Sequence, residues 1–472
     1  MTDQLDKLFE RYTGHKVEDR SELTSSGSHR RYFRLTGGNI SLIGVIGTNL
    51  SENKAFCYLS AHFREKGIKA PKVFAKSDDG MCYIQEDLGN AQLYNVISQG
   101  RETGEYSSFE SSILCHTIEM LPKIQFKGAQ GLDYNCCFPE PEFNERMVMF
   151  DLNYFKYCFL KATGMEFDEI RLQDDFDKLK KDLLLDMGNT FMYRDFQARN
   201  VMIKDGEPYF IDFQGGRRGP IYYDVASFVW QARSRYPEAL KQAMIQTYLT
   251  SLKEYVNIDT AVFGQRLRLF VLFRTLQVLG AYGFRGYFEK KPHFLGSVPF
   301  AIDNLRRLLV TPFDSYPYLN QVLTKLTTMQ QFYEIVEDKR LEVRIYSFAY
   351  KKGIPADTSG NGGGYVFDCR SINNPGKYEH FRQFTGLDPE VIKFLEDDGE
   401  VFRFLDSVYN LVDAHIKKFI ERKFTHLQIC FGCTGGQHRS VYCAEHLATH
   451  LTKKFDVKIM VSHRELDIEK MM

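Results

Sequence analysis

Tyr193-Arg194-Asp195-Phe196-Gln197-Ala198-Arg199-Asn200, followed by Ile211-Asp212-Phe213-Gln214, is the stretch on which the reading of this sequence turns. Between the two runs lie short apolar segments hinged at Asp205-Gly206, the pattern of a loop and two strands. Transfer of a γ-phosphoryl group needs one carboxylate to orient and deprotonate the acceptor hydroxyl. It also needs oxygen ligands for a Mg²⁺ that bridges the phosphates. Asp195, then Asn200 five residues on, then Asp212 beyond a tight hairpin, supply those three groups. Asp-x₄-Asn alone arises often by chance, with acids and amides capping loops, so the reading depends on what flanks it.

Upstream, residues 30–50 read as two strands around Gly37-Gly38, residues 53–66 as a helix, and Lys72–Ala75 with Met81–Gln85 as a strand–turn–strand. Residues 105–190 are mostly helical in pattern, with Met147, Phe150, Tyr154 and Phe155 near helical spacing, and helices return over 224–310. The stretch 311–338, with Pro312, Pro317 and the polar run TKLTTMQQ, reads as a boundary. Beyond it the pattern changes. Val343–Ala349, Tyr365–Phe367, Leu427–Phe431 and residues 457–461 read as strands, and Val401 to Phe419 as a long amphipathic helix. A second helix carries Val441, Ala444, Ala448 and Leu451 on one face. The expectation is an α+β two-lobed domain over 1–325, followed by a small α/β domain over 339–472.

Composition narrows the function classes. The chain has 472 residues, too many for one core to be the default, and at 43% apolar and 26% charged it is globular in character. Sixty-one basic against 61 acidic residues argue against a polybasic nucleic-acid binder. Ten scattered cysteines form no disulfide framework, the first residues lack the apolar core of a signal peptide, and there is no 18-residue apolar run. The location expected is cytoplasmic, with no membrane association.

The first domain resembles the aminoglycoside phosphotransferase-like kinases, whose fold is that of the protein kinases. Within them it is most similar to the AmgK-type anomeric sugar kinases acting on N-acetylmuramate and N-acetylglucosamine. The residues carrying this run over roughly 5–310: SHRRYFRL from Ser28, QEDLG from Gln85, RDFQARN, IDFQGGRRGPIYYDVAS and QVLGAYG. The resemblance implies ATP and Mg²⁺, Asp195 as catalytic base, Asn200 and Asp212 as metal ligands, and nucleotide contacts at the hinge around Glu86 and Leu88. It also implies that Asp224 is a buried acid tying down the catalytic loop. One departure stands out: no lysine lies between Tyr32 and Thr48, where a strand lysine normally pairs the nucleotide phosphates. Arg34 lies in that stretch and Arg30 and Arg31 in the turn before it. Arg31 and Arg34 are therefore the candidate phosphate clamps, with surface charge as the alternative. Asp151, Tyr154 and Phe155, an acidic-aromatic helix before the catalytic loop, are candidate substrate contacts, with core packing as the alternative reading of the aromatics.

The second constellation is LQICFGCTGGQHRS, Leu427–Ser440: an apolar strand, a glycine loop and a helix, which is the build of an anion site. Three readings compete. Cys430-x-x-Cys433 is a metal or redox pair; Cys433-x₅-Arg439-Ser440 is a cysteine-dependent phosphatase loop, although Gly432 stands where a histidine usually precedes the cysteine; or the loop binds an anion without chemistry. Residues 341–470 resemble the C-terminal domain of the RNase adapter protein RapZ, through SFAY, VFDCR, Asn374-Pro375, TGLD and GCTGGQHRSVYCAEHLA in order. That resemblance implies a glucosamine-6-phosphate site at Asp368, Cys433, Thr434, Gly435, His438 and Arg439, with Gly376 where a histidine is expected. It also implies RNA as a partner, which the sequence does not favour: residues 339–472 hold 20 Lys and Arg against 18 Asp and Glu. The P-loop half of that family is absent from this sequence.

The function expected is ATP-dependent phosphorylation of a sugar hydroxyl, the anomeric one of an amino sugar first, with a fused sugar-phosphate-sensing domain. The alternative is a catalytically degenerate regulatory sensor binding sugar phosphate or small RNA.

Overall fold

The computed structural model describes residues 2–23, 30–185, 187–332, 340–357, 363–422 and 424–471. They fall into two compact units, Met1–Glu334 and Ile335–Met472. Ser28 and His29 of the SHRRYFRL run, and residues 333–338 of the expected boundary, lie outside the described residues.

In the first unit, β1 (Asp19–Leu23), β2 (Arg31–Gly37), β3 (Ile40–Ile46), β4 (Val73–Lys76) and β5 (Cys82–Glu86) form an antiparallel sheet in the order β1-β2-β3-β5-β4. The two-residue period of β3 divides its side chains between two cores. Leu42 and Ile46 pack with Leu5, Leu8 and Phe9 of the helix Thr2–Thr13. Ile43 and Val45 face the other way, onto Phe56, Leu59 and Phe63 of the helix Leu50–Glu65. Asn49 caps that helix, its side chain accepting from the Ser51 and Glu52 amides. β1 was not expected: DRSEL has no apolar alternation and lies at the sheet edge.

The remainder of the unit is mostly helical, with two small two-stranded sheets. β6 (Thr190–Met192) pairs with β9 (Arg217–Gly219), and β7 (Val201–Lys204) with β8 (Glu207–Phe210). Asp205 and Gly206 take φ of 54° and 78° at the β7–β8 turn, as an Asp-Gly hairpin requires. The helix Thr260–Gly283 runs through the core with Phe270, Phe273, Leu276 and Leu279 buried. With its continuation to Phe288 it is long and apolar enough to cross a membrane, and 67% of its apolar window is buried inside the protein. The helix Pro317–Thr327 also packs in this unit, burying Leu319, Val322, Leu323 and Leu326, so TKLTT is a helix end and residue 325 lies within the helix.

The QVLGAYG run sets a close helix crossing. A Cβ at Gly283 would stand 2.3 Å from the Cys158 carbonyl oxygen, and one at Gly280 would stand 2.8 Å from the Phe155 amide nitrogen. Both obstacles are backbone of the helical segment that carries Asp151 and Tyr154. Gly283→Ala is therefore expected to lower stability. Overpacking costs about 1–3 kcal/mol and outweighs the ~1 kcal/mol gained in helix propensity. A fall in the urea midpoint checks this, and an unchanged or raised midpoint refutes it.

The second unit is a mixed sheet of β10 (Glu342–Ala349), β11 (Gly364–Asp368), β12 (His426–Cys433), β13 (Lys458–His463) and β14 (Ile468–Met471), in the order β11-β12-β10-β13-β14. All pairings are parallel except β13–β14. The helices Glu400–Glu421 and Arg439–Lys454 bury one face each into its core. A buried chain ties three elements: Ser347 Oγ meets His463 Nδ1 at 2.9 Å, and His463 Nε2 meets Glu445 Oε1 at 2.7 Å.

Candidate functional site

The catalytic-loop segment is held from below by Asp224, fully buried on the helix Tyr222–Val229. Its two carboxylate oxygens accept from the Tyr193 and Arg194 amides at 2.7 and 2.8 Å. Burial, chiefly, raises its carboxyl to about 7 despite these two amides. Arg194 is in the left-handed region, φ 80°, and its guanidinium pairs with both oxygens of Asp151 at 3.0 and 2.8 Å. The buried Tyr193 hydroxyl donates to the Ile211 carbonyl at 2.5 Å, joining the loop to the strand end before Asp212.

This frame brings Asp195, Asn200 and Asp212 together. Asn200 Nδ2 donates to the Asp195 main-chain oxygen at 2.8 Å, which leaves its Oδ1 as an acceptor. The Asp195 side chain is 49% exposed, with Arg274 Nη2 at 3.8 Å from its Oδ1. Asp212 has φ 65°, and burial followed by the Asp195 charge holds its carboxyl above the usual carboxylate range. A buried carboxylate so disposed, beside a free amide oxygen, suits an oxygen-preferring divalent cation that draws its other ligands from phosphates and water. Asn200 and Asp212 would hold such a Mg²⁺, which when bound neutralises charge on the phosphates. Asp195, at the open side, is placed to take an acceptor's proton.

Three side chains to which sequence reasoning gave no role, Arg30, Glu52 and Gln214, complete the cluster. Arg30, 2% exposed, places Nη2 3.2 Å from Glu52 Oε1. Gln214 Nε2 bridges Glu52 Oε1 at 3.3 Å and Asp212 Oδ1 at 2.6 Å. The helix bearing Glu52 is pressed here by Phe56, stacked on Phe213 at 4.9 Å. Nothing local marks Arg30 or Glu52 in the sequence, because the two meet only when the helix packs on the sheet.

The other expected residues stand elsewhere. Arg31 is exposed and pairs with Glu22 across β1–β2 at 2.8 and 2.9 Å. Arg34 grips Asp87 with two hydrogen bonds, 2.7 and 3.0 Å, and donates to Asn90 and the Gly89 carbonyl, so it braces the segment after β5. Glu86, at the end of β5, pairs with Lys204 at 2.8 Å, and Leu88 is buried. Asp151 is committed to Arg194, Phe155 is fully buried in the core, and half-buried Tyr154 packs on Phe284 at 5.4 Å.

In the second unit the loop 433–438 sits at the carboxyl end of β12 and leads into the helix Arg439–Lys454, where parallel sheets place ligands. Thr434, Gly435 and Gln437 are exposed, and a Cβ on Gly435 would meet open space. Cys433 is 3% exposed; its Sγ accepts from the Gly436 amide at 3.1 Å and meets Ser440 Oγ at 3.2 Å. Arg439 Nη1 donates to the Arg370 and Ile372 carbonyls at 3.1 and 2.9 Å, bracing that loop. His438 Nε2 lies 3.1 Å from the Phe381 carbonyl, and a Cβ on Gly376 would come 3.7 Å from its ring. Asp368 is paired by Arg370, whose Nη2 is 2.6 Å away. A thiol so covered, beside an arginine committed to main-chain carbonyls, suits anion binding on the outer rim of the loop better than nucleophilic attack. A side chain at position 432 would meet the Tyr350 and Phe348 rings within 2.6 Å. Cys430 and Cys433, three apart on one strand, point to opposite faces. No cluster of three metal-ligating side chains occurs among the described residues.

Two lysines of the second unit that an RNA surface would draw on have carboxylate partners. Lys418 pairs with Glu421 and Lys454 with Asp413, both at 2.6 Å, while Lys423 lies outside the described residues.

Residues 158–258 match the Phosphotransferase enzyme family, and residues 341–467 match the RapZ C-terminal domain. A nucleotide-binding protein of Methylococcus capsulatus is 35% identical over 186 residues, 38% of this chain and 61% of that protein. One of Fervidobacterium nodosum is 36% identical over 149 residues, 32% of this chain and 50% of its own length. The chain thus spans between half and about three-fifths of these relatives. Among solved structures, a thermostable mutant of an aminoglycoside phosphotransferase aligns over 69% of this chain and 100% of its own, at 15% identity and TM-score 0.41. Choline kinase from Cryptosporidium parvum aligns over 69% and 94%, at 13% identity and TM-score 0.42.

Proposed function

We propose that this chain transfers the γ-phosphoryl group of ATP·Mg²⁺ to a sugar hydroxyl, with the anomeric hydroxyl of N-acetylmuramate or N-acetylglucosamine as the acceptor. The observation that carries this reading is the convergence of half-exposed Asp195 with Asn200 and buried Asp212 on a loop clamped by Asp224. The match of residues 158–258 to a phosphotransferase family supports the reaction class. The AmgK-type motifs quoted above support the acceptor. In this reading Asp195 takes the hydroxyl proton as the bond to phosphorus forms, and Asn200 and Asp212 fix the metal.

The second domain binds a sugar phosphate at the rim formed by Thr434 and Gly435, next to the start of the helix Arg439–Lys454. That position favours an anion through converging amides and the helix dipole. The match of residues 341–467 supports this half of the reading.

The test is the full chain incubated with ATP·Mg²⁺ and a panel of free sugars, with ³¹P and ¹H NMR identifying product and anomer. An anomeric phosphate from N-acetylmuramate or N-acetylglucosamine is expected. In parallel, calorimetry with glucosamine-6-phosphate is expected to show saturable binding that Thr434→Ala weakens. No phosphorylated sugar and no nucleotide heat would turn the reading toward a sensor without catalysis.

A further inference from the structure

We propose that Arg199, with Arg274 and Arg233 beside it, forms a subsite for an anionic group on the acceptor, so that the chain selects sugars bearing a carboxylate or a phosphate over neutral ones. The inference rests on the phosphotransferase reading and deepens it, since the roles of Asp195, Asn200 and Asp212 in that reading do not discriminate among acceptors.

Three arginines from different elements converge near Asp195. Arg199 follows it in the same loop, directly before Asn200. Arg274, on the helix Thr260–Gly283, places Nη2 3.8 Å from Asp195 Oδ1. Arg233 lies in the turn Ala232–Ser234, which is tied to the loop because Gln231 Oε1 accepts from the Ala198 amide at 3.1 Å. Two of the side chains are fixed in orientation by hydroxyls: Arg274 Nε donates to Ser227 Oγ at 3.1 Å, and Arg233 Nε to Ser297 Oγ at 2.7 Å. About two helical turns beyond Arg274 stands the half-buried Tyr282. Burial, chiefly, raises its hydroxyl, and the charges of Arg199, Arg274 and Arg233 all oppose that rise, which places the three guanidinium groups around one point.

Carboxylates that would cancel these charges are few. Arg199 is exposed and lies over the Tyr94 ring at 4.5 Å, and among the described residues it has no carboxylate partner. The carboxylate that reaches Arg274 is Asp195 itself. A fourth cation, Arg101, lies over the same Tyr94 ring at 3.5 Å. A face that serves solubility alone mixes both signs, and this one gathers cations. A guanidinium laid on an aromatic ring keeps its N–H edges at the rim, which suits two-pronged contact with a carboxylate or a phosphate. An acceptor bearing such a group is repelled by Asp195. The arginines offset that repulsion while the acceptor's hydroxyl comes up to the base.

The experiment measures kcat and KM of the full chain with ATP·Mg²⁺ and two pairs of acceptors. N-acetylmuramate is set against its uncharged carboxamide, and N-acetylglucosamine 6-phosphate against N-acetylglucosamine. Wild type, Arg199→Ala and Arg199→Lys are compared; Arg199 is exposed, so its loss should leave the fold intact, which thermal melts check. The wild type is expected to favour the anionic member of one pair by about tenfold or more in kcat/KM, and the pair that responds tells a carboxylate acceptor from a phosphate one. Arg199→Ala should lower kcat/KM for that anionic acceptor about 10- to 100-fold, mainly through KM, and for its neutral partner by less than about 3-fold. Arg199→Lys, which keeps the charge and loses the fork, should fall between. The KM for ATP should stay within about 3-fold of the wild type. Equal use of anionic and neutral acceptors by the wild type, or equal losses for both in Arg199→Ala, overturns the proposal and leaves the phosphotransferase reading standing. A raised KM for ATP in place of the acceptor's assigns Arg199 to the nucleotide and overturns it as well. Phosphorylation of none of the four sugars removes that reading and this inference together.

Discussion

Asp195→Ala is expected to lower kcat for sugar phosphorylation about a hundred- to ten-thousand-fold while leaving Mg·nucleotide binding within a few-fold of the wild type. The split follows from position. Asp195 is the half-exposed member of the cluster, reached by Arg274 at 3.8 Å, while the metal ligands proposed are Asn200 and Asp212. Its main-chain oxygen, which Asn200 engages, survives the substitution. Its negative charge is also one of the causes that raise the Asp212 carboxyl, so its removal makes Asp212 a readier metal ligand rather than a poorer one. Stability should change little, within about 0.5 kcal/mol, because a half-exposed carboxylate with two long contacts, Gln197 Nε2 at 3.4 Å and Arg274 Nη2 at 3.8 Å, is being removed. Steady-state rates with titrated acceptor, alongside nucleotide binding, check the prediction. Phosphorylation within tenfold of the wild-type rate would remove Asp195 from the mechanism.

The grouping of Asp195, Asn200 and Asp212 was legible in the sequence because it is set at short range: one loop, one hairpin and a turn whose Asp-Gly pair demands the observed backbone. β3 was legible for a similar reason, since its alternation must serve two cores at once. The arginine that joins the cluster, Arg30, was not. Arg30, Arg31 and Arg34 look alike in the sequence, and a single-residue change of parity on a strand moves a side chain to the opposite face of the sheet. Only the pairing of Asp19–Leu23 with β2 shows that Arg31 has a partner in Glu22, and DRSEL carries no strand signal of its own.

The second domain divides in the same way. Its parallel core strands and the loop Cys433–His438 announce themselves through apolar runs and glycines. The direction of individual side chains does not follow from the run, because it depends on loops distant in sequence. Arg439 serves the Arg370 and Ile372 carbonyls, and Asp368 is held by Arg370. β14, with all four residues exposed, and the three-residue β6 and β9 have too little alternation to register.

Asp212→Asn is expected to move activity and metal-free stability in opposite directions. The wild-type carboxyl is held above its usual range, first by burial and second by Asp195. A group raised in the folded state contributes stability that is fully present below its unfolded pKa and is lost as the pH rises through its folded pKa. At neutral pH without a cation, the ionised Asp212 is therefore a burden on the fold. Asparagine removes that charge at constant shape and still accepts from Gln214 Nε2, which lies 2.6 Å from Oδ1. It also tolerates the left-handed backbone, φ 65°, better than most residues. Metal-free Asp212→Asn should thus be as stable as the wild type at pH 7, or more so by on the order of 1 kcal/mol, an advantage that shrinks as acid protonates the wild-type carboxyl. The wild type should gain stability from Mg²⁺ with ATP, and lose that gain as the pH falls and the ligand is protonated. The variant should show little such gain at any pH, and kcat lower by about two orders of magnitude or more, since the charge that anchors the metal is gone. Thermal melts across pH, with and without Mg·ATP, read the first two effects and steady-state kinetics the third. A metal-free variant clearly less stable than the wild type at neutral pH would mean that Asp212 is held by a cation of the protein itself, with Arg30 the nearest candidate, and would remove the case for Asp212 as a magnesium ligand.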